Sequence, residues 1–186
     1  MARASTPPQR LADSALRILA KKPWREMSLA EVARAAKVPL ADLPEIAAGK
    51  PALIGLILRR FGDAVATQYA PDRKTRPAHE RLFDVGMTWF DCLARHKPAI
   101  RSLYDGLKRD PFTLFDVRGT IVGSAQWLMT LAQADQGPAL SLRAAAFAAI
   151  LGRAIPVWLD DDSDSNKTMA RLDGDLARAE SLLGKL

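Results

Sequence analysis

Apolar residues recur every three to four positions in each stretch between this chain's prolines, and no stretch alternates apolar with polar at a period of two. That spacing buries one stripe of a helix and cannot bury one face of a strand, so an all-α fold is expected. Arg10–Lys21 carries Leu11, Ala15, Ile18 and Leu19 on one face, and Pro23-Trp24 ends it. Ser28 opens a second helix, with Glu31 three residues on in the pattern of a capping box. Leu29, Val32, Ala33 and Ala36 form its buried stripe. Lys37-Val38-Pro39 reads as a tight turn and Leu40–Ala47 as a short third helix closed by Gly49. Lys50-Pro51 starts a fourth helix to about Tyr69, with Pro51 suited to a first helical position.

The polar, proline-flanked stretch Ala70–Pro77 is the clearest boundary. Beyond it, helices are expected at Ala78–Arg95, Pro98–Lys108, Phe112–Ala134, Ala139–Leu159 and Lys167–Leu183. Their short connections favour antiparallel neighbours. The expected organisation is a head at 1–50, a connecting helix at 51–70 and a helical body at 71–186.

Composition narrows the class. With 48% hydrophobic residues spread along 186 positions, the chain can bury a core and is not of disordered type. No run is expected to reach the roughly 20 apolar residues of a membrane span, because Ala139–Leu159 is interrupted by Ser141, Arg143, Arg153 and Pro156. Arg3 and Arg10 precede no apolar core, so no secretion signal and a cytoplasmic setting are expected. The lone Cys92 excludes an intramolecular disulfide. Net charge is +6, and up to Lys50 nine basic residues stand against five acidic ones. Most of the surplus therefore sits in the head, and a basic balance favours an anionic partner, nucleic acid or an acidic membrane surface, without choosing between them.

Chemistry of other kinds finds little purchase. His79 and His96 lie apart with no paired ligand spacing, and Cys92 has no CxxC partner. Asp160, Asp162 and Asp164 alternate as in a calcium loop, but its sixth and twelfth places hold Ser165 and Arg171 instead of glycine and glutamate. A solvated loop leading into a last helix capped by Asp164, Ser165 or Asn166 is the better reading. No enzyme activity, metal or cofactor is expected.

Three short helices followed by a longer one suit a helix-turn-helix, in which one helix crosses the DNA backbone while the next enters the major groove. Val32, Ala33, Ala36, Val38 and Leu43 would lock their crossing. The order Trp24, Ser28–Val38, Leu43, Lys50 and Leu53 resembles the head of TetR-type transcriptional regulators over about Leu11 to Phe61. The resemblance implies a three-helix head on an antiparallel bundle of about nine helices. It also implies operator DNA and a small apolar effector as partners, and a homodimer through the last two helices. The contacts expected on DNA are Ser28 at the start of the second helix, Lys37 and Lys50 on phosphates, and Leu40 and Ala41 nearest base edges. Met87, Trp89, Phe90, Phe112, Phe115, Trp127 and Met129 are the candidate lining of an effector pocket taken together, though at helical spacing core packing is the better reading of any one of them.

Two departures stand out. Where the family carries an aromatic-rich end to the recognition helix, this chain has Pro44-Glu45-Ile46-Ala47. The segment exposes Asp42 and Glu45 with no Lys or Arg between Pro39 and Gly49, and carboxylates repel phosphates. Pro44 is expected to disfavour helix at Leu43. In addition, Trp158, Asp160–Asp162, Thr168-Met169 and Leu172-Asp173 are similar to the tail of COQ9-like proteins. Those are TetR-fold lipid-binding accessory factors of quinone biosynthesis, which implies the alternative of a lipid binder that no longer reads DNA.

Overall fold

The computed structural model describes residues 5–70, 76–137, 139–161 and 164–183. Among the described residues there are nine α-helices and no strand. They are α1 Pro7–Leu19, α2 Leu29–Ala36, α3 Leu43–Ile46, α4 Lys50–Gln68, α5 Ala78–Leu93, α6 Lys97–Lys108, α7 Pro111–Leu131, α8 Leu140–Leu159 and α9 Asn166–Leu183. The all-α expectation holds. Helix ends differ from the expected ones by a few residues; α1 begins at Pro7 because prolines in a first turn forgo N–H groups that would have no helical partner. Part of the boundary read at Ala70–Pro77 lies outside the described residues.

The chain divides into two compact units, the first drawn from Met1–Arg60 and Arg95–Gly119, the second from Phe61–Ala94 and Thr120–Leu186. The division falls inside α4 and α7, and α6 belongs with the head helices, not with the later ones. The reason is Trp24. It lies buried in a 3-10 turn, Trp24–Glu26, between α1 and α2, and that turn packs on α6. Gly106 of α6 meets the indole so closely that a Cβ there would lie 2.5 Å from Trp24 Cβ and 2.8 Å from Cγ. Ser102 Oγ of the same helix donates to Lys22 O at 2.9 Å. Helix α1 also packs on α2, burying Leu11, Ala12, Ala15, Leu16 and Leu19, while Arg10 Nε donates to Ala36 O at 3.0 Å and closes the end of α2.

In the second unit α8 and α9 pack together and α5 packs on α9. Gly86 allows α5 within close reach of Leu172 and Leu151, and Phe90 meets Trp158 with ring centroids 5.5 Å apart. Arg81 and Arg143 hold the α7–α8 connection through the carbonyls of Gln133, Ala134 and Gln136. The acidic run before α9 turns out to be partly structural. Buried Asp161 accepts from both the N–H and the hydroxyl of Thr168 at 2.7 Å, supplying an acceptor to the first turn of α9 from outside the expected trio of caps.

As expected, α8 runs through Pro156; among the described residues it is the one helix long and apolar enough to cross a membrane by length and composition. Ala144, Phe147, Ile150, Leu151, Ala154 and Trp158 are buried within the unit, so one face of the helix packs into its core.

The Trp24–Gly106 contact leaves no room for a methyl group. Gly106→Ala should lower unfolding free energy by about 2 kcal/mol despite better helix propensity, as measured by urea denaturation.

Candidate nucleic-acid interface

Ser28 precedes α2 with extended backbone, and its Oγ accepts the Glu31 N–H at 3.2 Å. This is half of the expected capping box. Glu31 does not return to the Ser28 N–H; its carboxylate takes Lys22 Nζ at 2.5 Å and ties the end of α1 to the first turn of α2. The side-chain hydrogen bond from Lys22 holds the Glu31 carboxyl below its usual range.

Helix α2 ends on Lys37 in the left-handed region (φ 54°, ψ 45°), with the Val38 N–H returning to Ala33 O at 3.0 Å. Glycine is the easy residue there; a lysine costs about 1 kcal/mol in backbone strain and gains an exposed cation at the corner.

Past the corner, the single expected helix Leu40–Ala47 is split. Leu40–Asp42 forms a 3-10 turn and Leu43–Ile46 one α turn. Pro44 has no N–H to give to Leu40 O, so the Leu43 N–H takes that carbonyl in a tighter ring. Leu43 itself is helical (φ −62°, ψ −40°), against the expectation, because its buried side chain anchors the element to the head. Val38, Leu43 and Ala47 point inward, whereas Pro39, Leu40, Ala41, Asp42, Pro44 and Glu45 are exposed, Leu40 to 62%. Ser28 and Lys37 are exposed as well, as is Arg34 on α2, a cation the sequence reading did not single out.

Lys50 stands apart from these. Its ammonium donates to Trp24 O at 2.9 Å and Arg25 O at 3.4 Å and lies 4.9 Å from the Trp24 ring centroid. Burial pushes its pKa down, partly opposed by the charge of Asp110. The residue that opens α4 is thus engaged with the Trp24 turn. Behind the corner, a shallow cleft of about 240 Å³ between α1 and α2 is lined by Ser14, Arg17, Ile18, Lys21, Lys22, Glu31 and Ala35.

The candidate pocket residues divide. Trp89, Phe90 and Met129 are buried in the second unit; Trp89 and Phe90 meet edge to face at 5.1 Å, and Trp158, absent from the expected set, extends the cluster. Trp89 Nε1 is buried without an acceptor among the described residues. Met87 is half-buried and Trp127 is 44% exposed beside Gly62. Phe112 and Phe115 lie in the first unit, 84% and 62% exposed.

No protein-family model and no curated protein sequence matches the chain. A solved structure does: the crystal structure of a tetR-family transcriptional regulator from Streptomyces coelicolor, with a TM-score of 0.55. Identity is 22%, and the match covers 95% of this chain and 83% of that one. The fold is TetR-like. At this identity the likeness is one of architecture, and it extends through the helices of both units. Within the TetR-like head, the Lys22–Glu31 pair and the Trp24 turn flank the start of α2.

The Glu31–Lys22 pair sets an acid dependence. Because the folded pKa of Glu31 is lowered from 4.5, its contribution is present above that value and lost as pH falls through the folded one. Glu31→Gln should therefore be less stable than the parent near pH 7, with the two converging as pH falls through the lowered folded pKa, in parallel denaturation curves.

Proposed function

We propose that this chain is a TetR-type transcriptional regulator that docks the α2–α3 corner on duplex DNA and responds to a small apolar effector. The observation that carries this reading is the outward row of Ser28, Lys37, Leu40 and Ala41 on a helix-turn-helix of TetR-like fold. Ser28 and Lys37 serve as phosphate contacts, and Leu40 and Ala41 face base edges through apolar contact. Arg34 adds a third cation on α2. Lys50 acts by holding the Trp24 turn beneath α2, with a phosphate contact left to its remaining donor. Exposed Asp42 and Glu45 weaken sequence-independent attraction, so discrimination rests more on fit than on charge.

The effector belongs in the apolar interior of the second unit, around Trp89, Phe90 and Met129. Small residues on α8 and α9, with Leu142 57% exposed, suit a homodimer through these two helices in the cytoplasm. Effector binding would shift the population of head spacings and so the grip on paired half-sites.

A second reading, a lipid-binding accessory protein on the same fold, is favoured by one observation: the exposed face from Pro39 to Gly49 carries two carboxylates and no cation. Retention on random duplex at low salt with a steep salt dependence supports the regulator; co-purified isoprenoid or phospholipid without DNA retention supports the alternative.

Under the regulator reading, Lys37→Ala should weaken binding to all duplexes alike and reduce the salt slope by about one, by fluorescence anisotropy across a salt series. Leu40→Ser should instead change the ranking of sequences in a binding selection; an unchanged ranking removes Leu40 from the base-reading surface.

A further inference from the structure

We infer that a second copy of this chain docks on the outer face of the first half of α7, the two helices lying parallel across a two-fold axis with Phe112 and Phe115 in the seam. Phe112 is 84% exposed and Phe115 62%, whereas Val117, on the opposite side of the same turns, is buried. Phe112, Phe115 and Gly119 follow the i, i+3, i+7 spacing of one helix face, the repeat by which one helix receives another. The inward side of these turns is filled by Val117, so the two rings are apolar surface that association alone removes from water.

Fit and charge together name the occupant. A Cβ at Gly119 would meet nothing within 4 Å, so an incoming helix can approach closely there. Its Phe115 then fills a hole bounded by Phe112, Phe115, Asp116 and Gly119 of the first copy. Asp116 flanks the seam on one side and Arg118 on the other. Both are exposed, and among the described residues neither has an ionic partner. Arg118 is held at the edge of the seam, its Cζ 3.6 Å from the Phe115 ring centroid and its Nη1 donating to Phe115 O at 2.6 Å. A two-fold axis along the helices turns the Asp116 flank of each copy toward the Arg118 flank of the other, so opposite charges meet on both sides. An antiparallel pair would set Asp116 beside Asp116 and Arg118 beside Arg118. A partner surface of one sign, such as an anionic membrane, would attract one flank and repel the other. Only a partner carrying both signs satisfies both flanks, and a second copy does. The seam lies in the first unit and α8 and α9 in the second, so it shares no residue with the helices proposed for the homodimer and depends on neither that contact nor DNA.

The test is oxidative cross-linking of the full chain without DNA, as Gly119→Cys in a Cys92→Ser background, which removes the one native thiol. A parallel seam brings the two introduced thiols together, so a disulfide-linked dimer should form. Phe115→Ser should slow its formation at least about tenfold. Asp116→Arg or Arg118→Asp alone should also slow it at least about tenfold, and the two together should restore the rate to within about threefold. Rates are corrected for the reaction of each thiol with a small disulfide reagent. Because the three altered side chains are exposed, Tm should stay within about two degrees, which separates lost association from a folding defect. Absence of the linked dimer, or a double reversal no faster than the single ones, overturns the seam. So does retention on phosphatidylcholine–phosphatidylglycerol vesicles that Phe112→Ser abolishes while no linked dimer forms, since the face would then meet a membrane.

Discussion

Trp24 is the side chain on which the head depends. It is a large apolar group in a three-residue turn that could not bury it alone, so the turn is completed from elsewhere in the chain. Gly106 opens a flat patch on α6 for the indole, Ser102 takes the neighbouring carbonyl of Lys22, and Lys50 closes over the ring while capping two further carbonyls. Hydrophobic burial, backbone satisfaction and a cation–π contact thus converge on a single residue. Removing any one of these supports would loosen the start of α2, and with it the corner that faces outward.

That corner illustrates how one residue can set the shape of a surface. Pro44 withholds an N–H, which converts the first half of the third helical element into a 3-10 turn, yet the burial of Leu43 keeps the second half α-helical. The outcome is a short, outward-facing element with Leu40 and Ala41 at its leading edge and two carboxylates behind. A protein that reads DNA with such an element would draw its phosphate contacts from α2 and the Lys37 turn, because the third element has no cation to offer.

Buried carboxylates organise the second unit. Asp161 satisfies the first turn of α9 from beyond the helix, and Asp175 gathers three arginines farther along it. Both lie among acidic or alternating charges that sequence patterning assigns to solvent. What separates them from their neighbours is that each was given partners able to repay its desolvation.

Helical periodicity, proline placement and capping residues were sufficient to locate nearly every helix, since these are local effects with a range of one or two turns. The Ser28 cap, the Pro51 start and the exposed Leu40–Ala41 edge were legible for that reason. Three things were not. Attaching α6 to the head needed the fit of Trp24 against Gly106, about eighty positions apart along the chain. Turning Lys50 onto the Trp24 carbonyl, and drawing Glu31 away from its own cap toward Lys22, were choices between partners that local spacing makes equally available. The sequence by itself determined an all-helical chain with an outward helix-turn-helix corner. The tertiary structure decided which helices share a unit and which charges are spent inside it, because long-range packing alone fixes where a side chain finds its lowest-energy partner.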